Sequence, residues 1–248
     1  MTIATTIAHT TWRTTRIPLA LLAAFGLAIA LIIATLIIYP GGARIQTEYR
    51  LLGGVAIVVL ALVAGALALW SARIRSPEGS RLLRAGVLLG VLMGLLWVVE
   101  ITYNNWLTPP VTVRDPVDDV FWASIAIAIF LQSLVVAMRS GRFSRGVFVG
   151  FWSGSVSGLL ACLMGLILIV FLIVLVTHDP LSIQEWNTVK ASDGAPDIAT
   201  YFAYQTLAGA LLHLFVLGIL MGVLLGALGG AIGAGVARIA RLRAHRTV

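Results

Sequence analysis

The chain has 248 residues, 60% of them apolar and only 11% charged, with 17 basic against 10 acidic side chains. Soluble domains run at roughly 45–50% apolar and 25% charged, and a water-soluble core cannot absorb the difference. The basic excess suggests nucleic acid until its distribution along the chain is read, which points to membrane topology instead.

A membrane span needs about 20 predominantly apolar residues. Six runs meet that length: Ile17–Tyr39, Leu51–Trp70, Ala85–Trp106, Val120–Met138, Val147–Thr177 and Ile198–Val236. The expected fold is therefore all-α, a polytopic integral membrane protein of six transmembrane helices over residues 17–236. A tail of residues 1–16 precedes it, and a basic tail of residues 237–248 follows. The first run is too long for a signal peptide's apolar segment and lacks a small-residue cleavage site, so it is expected to be a retained anchor.

Thirteen of the basic residues fall in the N-terminal tail (Arg13, Arg16), the second loop (Arg73, Arg75, Arg81, Arg84), the fourth loop (Arg139, Arg142, Arg145) and the C-terminus (Arg238, Arg241, Arg243, Arg246). Arg44, Arg50, Arg114 and Lys190 remain for the other side. The positive-inside rule then places both termini in the cytoplasm, in the cell membrane. The partners expected are the lipid bilayer, anionic lipids at the arginine clusters, and a second copy or another membrane protein, with no nucleic acid.

All eight prolines are expected at helix ends or in loops, which leaves the spans unkinked. The polar stretch from Thr177 to Pro196 reads as an outer connector.

Three runs carry glycines at a spacing of four: Gly86, Gly90 and Gly94 in the third; Gly146, Gly150, Gly154 and Gly158 in the fifth; Gly218, Gly222, Gly226 and Gly230 in the sixth. Such spacing lines one face of a helix and lets a second backbone approach, the pattern of glycine-zipper packing. The fifth and sixth are expected to meet face to face. Gly229, Gly233 and Gly235 thin the end of the sixth run and suggest flexibility there.

Ionisable residues inside spans are costly and usually face a cavity or a partner. Glu100 lies about six residues, or roughly 9 Å, inside the outer end of the third run, with Asn104 one turn away on the same face. Gln205, Gly209 and His213 form a row on the sixth run. At 100° per residue His213 points about 140–220° away from that run's first three spaced glycines, which leaves the third run as a candidate neighbour. Gln132 and Ser133 on the fourth run, with Ser153 and Ser157 on the fifth, lie at middle depth. Glu100, Asn104, Gln132, Gln205 and His213 are thus the candidate binding residues, lining an outward-facing polar cavity.

Neither an HExxH, Walker A or GxGxxG motif nor a cysteine pair is present, and four scattered histidines give no ligand spacing, so no cofactor or metal is expected. Cys162 stands alone in mid-span. Ser155-Val156-Ser157-Gly158 resembles the Gly-x-Ser-Gly of rhomboid-type intramembrane proteases over four residues, but Ser155 replaces the first glycine and the glycine spacing after His213 does not fit. No enzyme is expected. The pattern points to a transporter of a small solute or ion, with a non-transporting subunit or regulator that docks a partner through its glycine faces as the alternative.

Overall fold

The computed structural model describes residues 16–40 and 43–246. The expected N-terminal tail with Arg13, and the side chains of Arg44, Lys190 and Arg246, lie outside the described residues. Every described element is helical and no strand occurs among them. In chain order the elements are α1 (Arg16–Ile38), α2 (Ala43–Arg73), α3 (Pro77–Leu107), α4 (Val111–Ser140), α5 (Phe143–Phe171), α6 (Ile173–His178), α7 (Pro180–Asp193), α8 (Ile198–Leu212), a π-helical stretch (His213–Leu220) and α9 (Met221–Arg246).

Six helices are long and apolar enough to cross a membrane: Arg16–Ile38, Arg50–Arg73, Pro77–Leu107, Val111–Ser140, Phe143–Phe171 and the continuous Ile198–Arg243. The second, third, fourth and sixth apolar runs sit inside these helices, which extend further into polar sequence than hydropathy indicates. α4 begins at Val111 and so contains Pro116 past its first turn, correcting at that one position the expectation that the prolines lie at helix ends or in loops. Pro116 falls in the second turn, and it deprives the carbonyl of residue 112 of its usual partner. The basic segment expected as a tail from residue 237 continues as helix to Arg246. The expected fifth run breaks after Phe171, and the presumed connector holds α7. That helix has Pro180 in its first turn, Asp179 as N-cap accepting from the Leu181 N–H at 3.1 Å, and Gly194 closing it at φ 66°.

The helices form two compact units, Met1–Ser80 with Gly165–Ala208, and Arg81–Met164 with Gly209–Val248. In the first, α1 pairs with α2. α1 buries Leu21, Phe25, Ala28, Ile32 and Thr35, and α2 buries Ala56, Leu60, Ala64, Leu67 and Ser71, both at the three-and-four spacing of a helix face. Gly53 receives Leu36, whose Cδ1 a methyl group at that position would meet at 2.7 Å. Tyr204, on α8, donates its hydroxyl to the Tyr39 carbonyl, and the Tyr39 hydroxyl donates to Ile169 O at 3.3 Å.

In the second unit backbones approach one another directly. A methyl group on Gly146, Gly150, Gly154 or Gly158 of α5 would lie 2.6, 2.5, 2.7 or 2.8 Å from the Cα of Gly230, Gly226, Gly222 or Gly218. One series rises by four as the other falls by four, so the strands of contact are antiparallel and in a single register. Gly86, Gly90 and Gly94 of α3 meet a different side of α5, against Trp152 Cβ (2.8 Å), Ser153 O (2.7 Å) and Leu160 Cβ (2.8 Å), and there both numbers rise together, as in parallel helices. Gly229 and Gly233 are contact positions too: they face Phe130 O (2.6 Å) and Met138 N (2.9 Å) of α4, which replaces the expectation of a thinned, flexible end. Only Gly235 of that group has open space around it. In keeping with this, 72% of the apolar window of α5 is buried, against 22–33% for the other five spans.

Leucine at Gly150 forces backbone against backbone, where no side chain can swing aside. Gly150→Leu is expected to destabilise by about 1–3 kcal/mol or more, read as a fall in thermal or denaturant midpoint in detergent. Gly65→Leu, at a position where an added methyl meets nothing within 4 Å, is expected to leave the midpoint unchanged.

Candidate functional site

Three residues, Thr108-Pro109-Pro110, separate α3 from α4. Thr108 takes the left-handed conformation at φ 44°, unusual for a β-branched residue, and the two prolines prevent the helix from continuing. The result is a tight antiparallel hairpin that sets Asn104 opposite Asp118 and Trp97 beside Ile125. Trp97 and Trp122 meet edge to face with centroids 5.6 Å apart, and Trp97 shares an apolar cluster with Ile125, Ile129 and Ala161.

Within this hairpin Glu100 is 6% exposed. The Asn104 side-chain amide donates to Glu100 Oε1 at 3.0 Å and to Asp118 Oδ1 at 2.8 Å, so one NH2 group bridges two carboxylates. Asp118 and Trp122 are further neighbours of the Glu100 carboxyl. Arg114, one turn before Asp118, reaches the Asn104 carbonyl at 3.4 Å, near the C-terminus of α3 where carbonyls lack helical partners. Glu100 Oε2 and Asn104 Oδ1 are buried and have no hydrogen-bond partner among the described residues. Two acceptors are therefore left over beside two acids, and such atoms are costly unless a proton, water or cation meets them.

The remaining candidates are distributed differently. His213 does reach α3, but through Trp97, whose ring it meets edge-on with centroids 5.0 Å apart. Its Nδ1 lies 2.8 Å from the Gly209 carbonyl, and no hydrogen bond joins it to Glu100. The π-helical stretch begins at His213; the Met221 N–H reaches back five residues to Val216 O, and each residue turns through less than the 100° of an α-helix. His213 is thereby rotated toward the glycine face, and its carbonyl lies 2.6 Å from where a methyl on Gly158 would stand.

Gln132 is engaged between helices. Its Nε2 donates to Ala85 O of α3 at 2.9 Å, and its Oε1 accepts from Ser153 of α5 at 2.9 Å. Ser133 donates to Ile129 O in its own helix at 2.8 Å and is fully buried. Gln205 belongs to the first unit, where its Nε2 donates to Glu185 Oε1 (2.7 Å) and Tyr201 Oη (2.6 Å), while Tyr201 donates to the same Glu185 oxygen (2.8 Å). These bonds tie α7 to α8. A cavity of about 550 Å³ opens in the second unit at Gly141, Phe143, Ala234, Gly235, Arg238, Arg241 and Leu242, among arginines rather than acids.

Asp118 and Arg114 were not among the residues expected from sequence. They stand before the apolar run that begins at Val120, yet the series Arg114, Asp118, Trp122, Ile125, Ile129 marks one face of a helix and was there to be read. Among the described residues no group of three or more His, Cys, Asp or Glu side chains is arranged to hold a metal ion. Comparison with family models, curated proteins and solved structures finds no match.

The Gln132 contacts generate a stability prediction. Interhelical hydrogen bonds in membrane proteins contribute about 0.6 kcal/mol on average and up to about 1.7. Gln132→Leu should cost about 1–2 kcal/mol and Ser153→Ala about 0.6, while the double variant should cost no more than Gln132→Leu alone because the two share a bond. A double-mutant cycle from unfolding titrations reads this directly.

Proposed function

We propose that this is a multi-pass transporter of the cell membrane, with both termini cytoplasmic, in which Glu100, Asn104 and Asp118 bind a proton or a small monovalent cation. Six helices long and apolar enough to span a bilayer are compatible with an integral membrane protein. The single observation that carries the finer reading is the Asn104 amide shared between two carboxylates, with an unpaired acceptor on both Glu100 and Asn104. A proton or cation between the acids offsets their repulsion and supplies the missing partner. With only two carboxylates and an amide on hand, the site suits a single charge better than a divalent ion. Trp97, capped by Trp122 and His213, forms an apolar wall that keeps the site from opening freely into the bundle.

The glycine rows act in this reading as a zipper that builds the scaffold. The alternative role, docking another membrane protein through those faces, is disfavoured by their occupancy, since each row already meets the chain's own helices.

The test is flux. Purified protein in proteoliposomes holding a pH-sensitive dye, driven by an imposed membrane potential, should dissipate a proton or alkali-cation gradient. Glu100→Gln and Asp118→Asn should each slow it about ten- to a hundredfold, the equivalent of one charge-assisted hydrogen bond, with helical content unchanged by circular dichroism. Wild-type protein that moves neither, or variants as fast as wild type, would refute the proposal.

A further inference from the structure

We infer that the cavity between the C-terminus of α4 and the end of α9 binds the phosphate of one anionic glycerophospholipid. Ala234, Gly235, Arg238, Arg241 and Leu242 recur at one-turn intervals and give α9 a single face toward the cavity, with Gly141 and Phe143 opposite. Gly141 closes α4 in the left-handed conformation at φ 65°, and the Arg241 guanidinium lies over it where any side chain would collide. This position also sets a cation beside the last carbonyls of α4, the negative end of the helix. Arg241 Nε donates to Ala237 O at 3.3 Å, which holds the guanidinium along its own helix.

Charge selects the ligand. The acids of this unit are Glu100, Asp115, Asp118 and Asp119, and from Asp119 to Arg139 along α4 is about 30 Å at 1.5 Å per residue. Among the described residues no acidic side chain lines the cavity, which Arg238 and Arg241 face. Phe143 and Leu242 are 48% and 58% exposed and supply apolar surface next to the guanidinium groups. A free phosphate has no use for that surface, whereas a phospholipid brings acyl chains to it. Basic pockets at the ends of membrane helices take lipid headgroups on the same principle.

The inference rests on reading the six helices as membrane spans, and is independent of the Glu100 site. Its test is lipid retention by the full chain in detergent, titrated with phosphatidylglycerol or phosphatidylcholine and read by native mass spectrometry. One phosphatidylglycerol per chain should bind in preference to phosphatidylcholine. Arg238→Gln with Arg241→Gln should weaken it roughly 30-fold, at about 1 kcal/mol per arginine, while Arg73→Gln with Arg75→Gln, the same charge lost elsewhere, should not. Should the double variant fail to fold, Gly235→Leu decides: an added Cβ meets nothing there within 4 Å, so the backbone has room for a side chain that projects into the cavity, and binding should fall. Equal loss in both double variants, equal binding of the two lipids, unchanged binding in Gly235→Leu, or displacement by inorganic phosphate would each overturn the inference. Release of the chain from membranes by alkaline carbonate would instead overturn the membrane reading beneath it.

Discussion

Helices surrounded by lipid gain nothing from hiding apolar side chains in one another, so what holds them is how closely their backbones approach. In the second unit that approach is at its closest where α5 meets the π-helical stretch and α9, and four glycines on each side leave no space for even a methyl group. The contact also sets register. A slip of one residue along α5 brings Val147, Phe151, Ser155 and Leu159 onto the row, and none of these side chains fits where a methyl group does not. With α9 fixed, Gly229 and Gly233 seat α4 against it, and Gly86, Gly90 and Gly94 seat α3 against the other side of α5. The hairpin joining α3 to α4 then has its orientation, and with it the geometry of Glu100, Asn104 and Asp118.

The π-helical stretch belongs to the same arrangement. The glycine row ends at Gly218, and the polar row of the preceding helix ends at His213, five residues earlier. In an α-helix those two positions point about 140° apart. The wider turn of the π-helix reduces that angle, so the His213 carbonyl packs on Gly158 while its ring still reaches Trp97. π-Helical turns persist where packing around them makes up for poorer backbone geometry. Here the compensation is visible, since the stretch lets one helix serve α5 with its backbone and α3 with its side chain.

Much of the fold is legible in the sequence because hydropathy measures length directly, and six apolar runs correspond to six long helices. Glycine spacing likewise marks the faces where something comes close. It does not say what comes: the α3 row meets side chains and carbonyls of α5, while the α5 row meets glycine, and a spacing of four is the same in both. α7 escapes a search for apolar runs because it is polar, although Asp179-Pro180 and Gly194 are ordinary helix start and stop signals. At the site, Glu100 and Asn104 are readable as a pair one turn apart. Asp118 is not, because its distance from Asn104 depends on the turn at Thr108, whose left-handed conformation no propensity rule assigns to threonine. The π-helical stretch left no signal in composition or spacing, since it arises from packing on two neighbours at once.

α4 by itself measures the distance between the unit's two charged regions. From Asp118 to Arg139 is 21 residues, about 32 Å of helix, close to the roughly 30 Å of a bilayer's hydrocarbon core. The acids and the arginines therefore stand toward opposite ends of α4, and Glu100 of α3 is buried beside the acidic end. That placement separates two demands. In the proposed lipid site the arginines are neutralised by a phosphate from outside the chain. Glu100 is buried, with the Asn104 amide as donor to its carboxylate, while Asp118 shares that amide and adds a second negative charge beside it; the proton or cation proposed for the site would offset that repulsion.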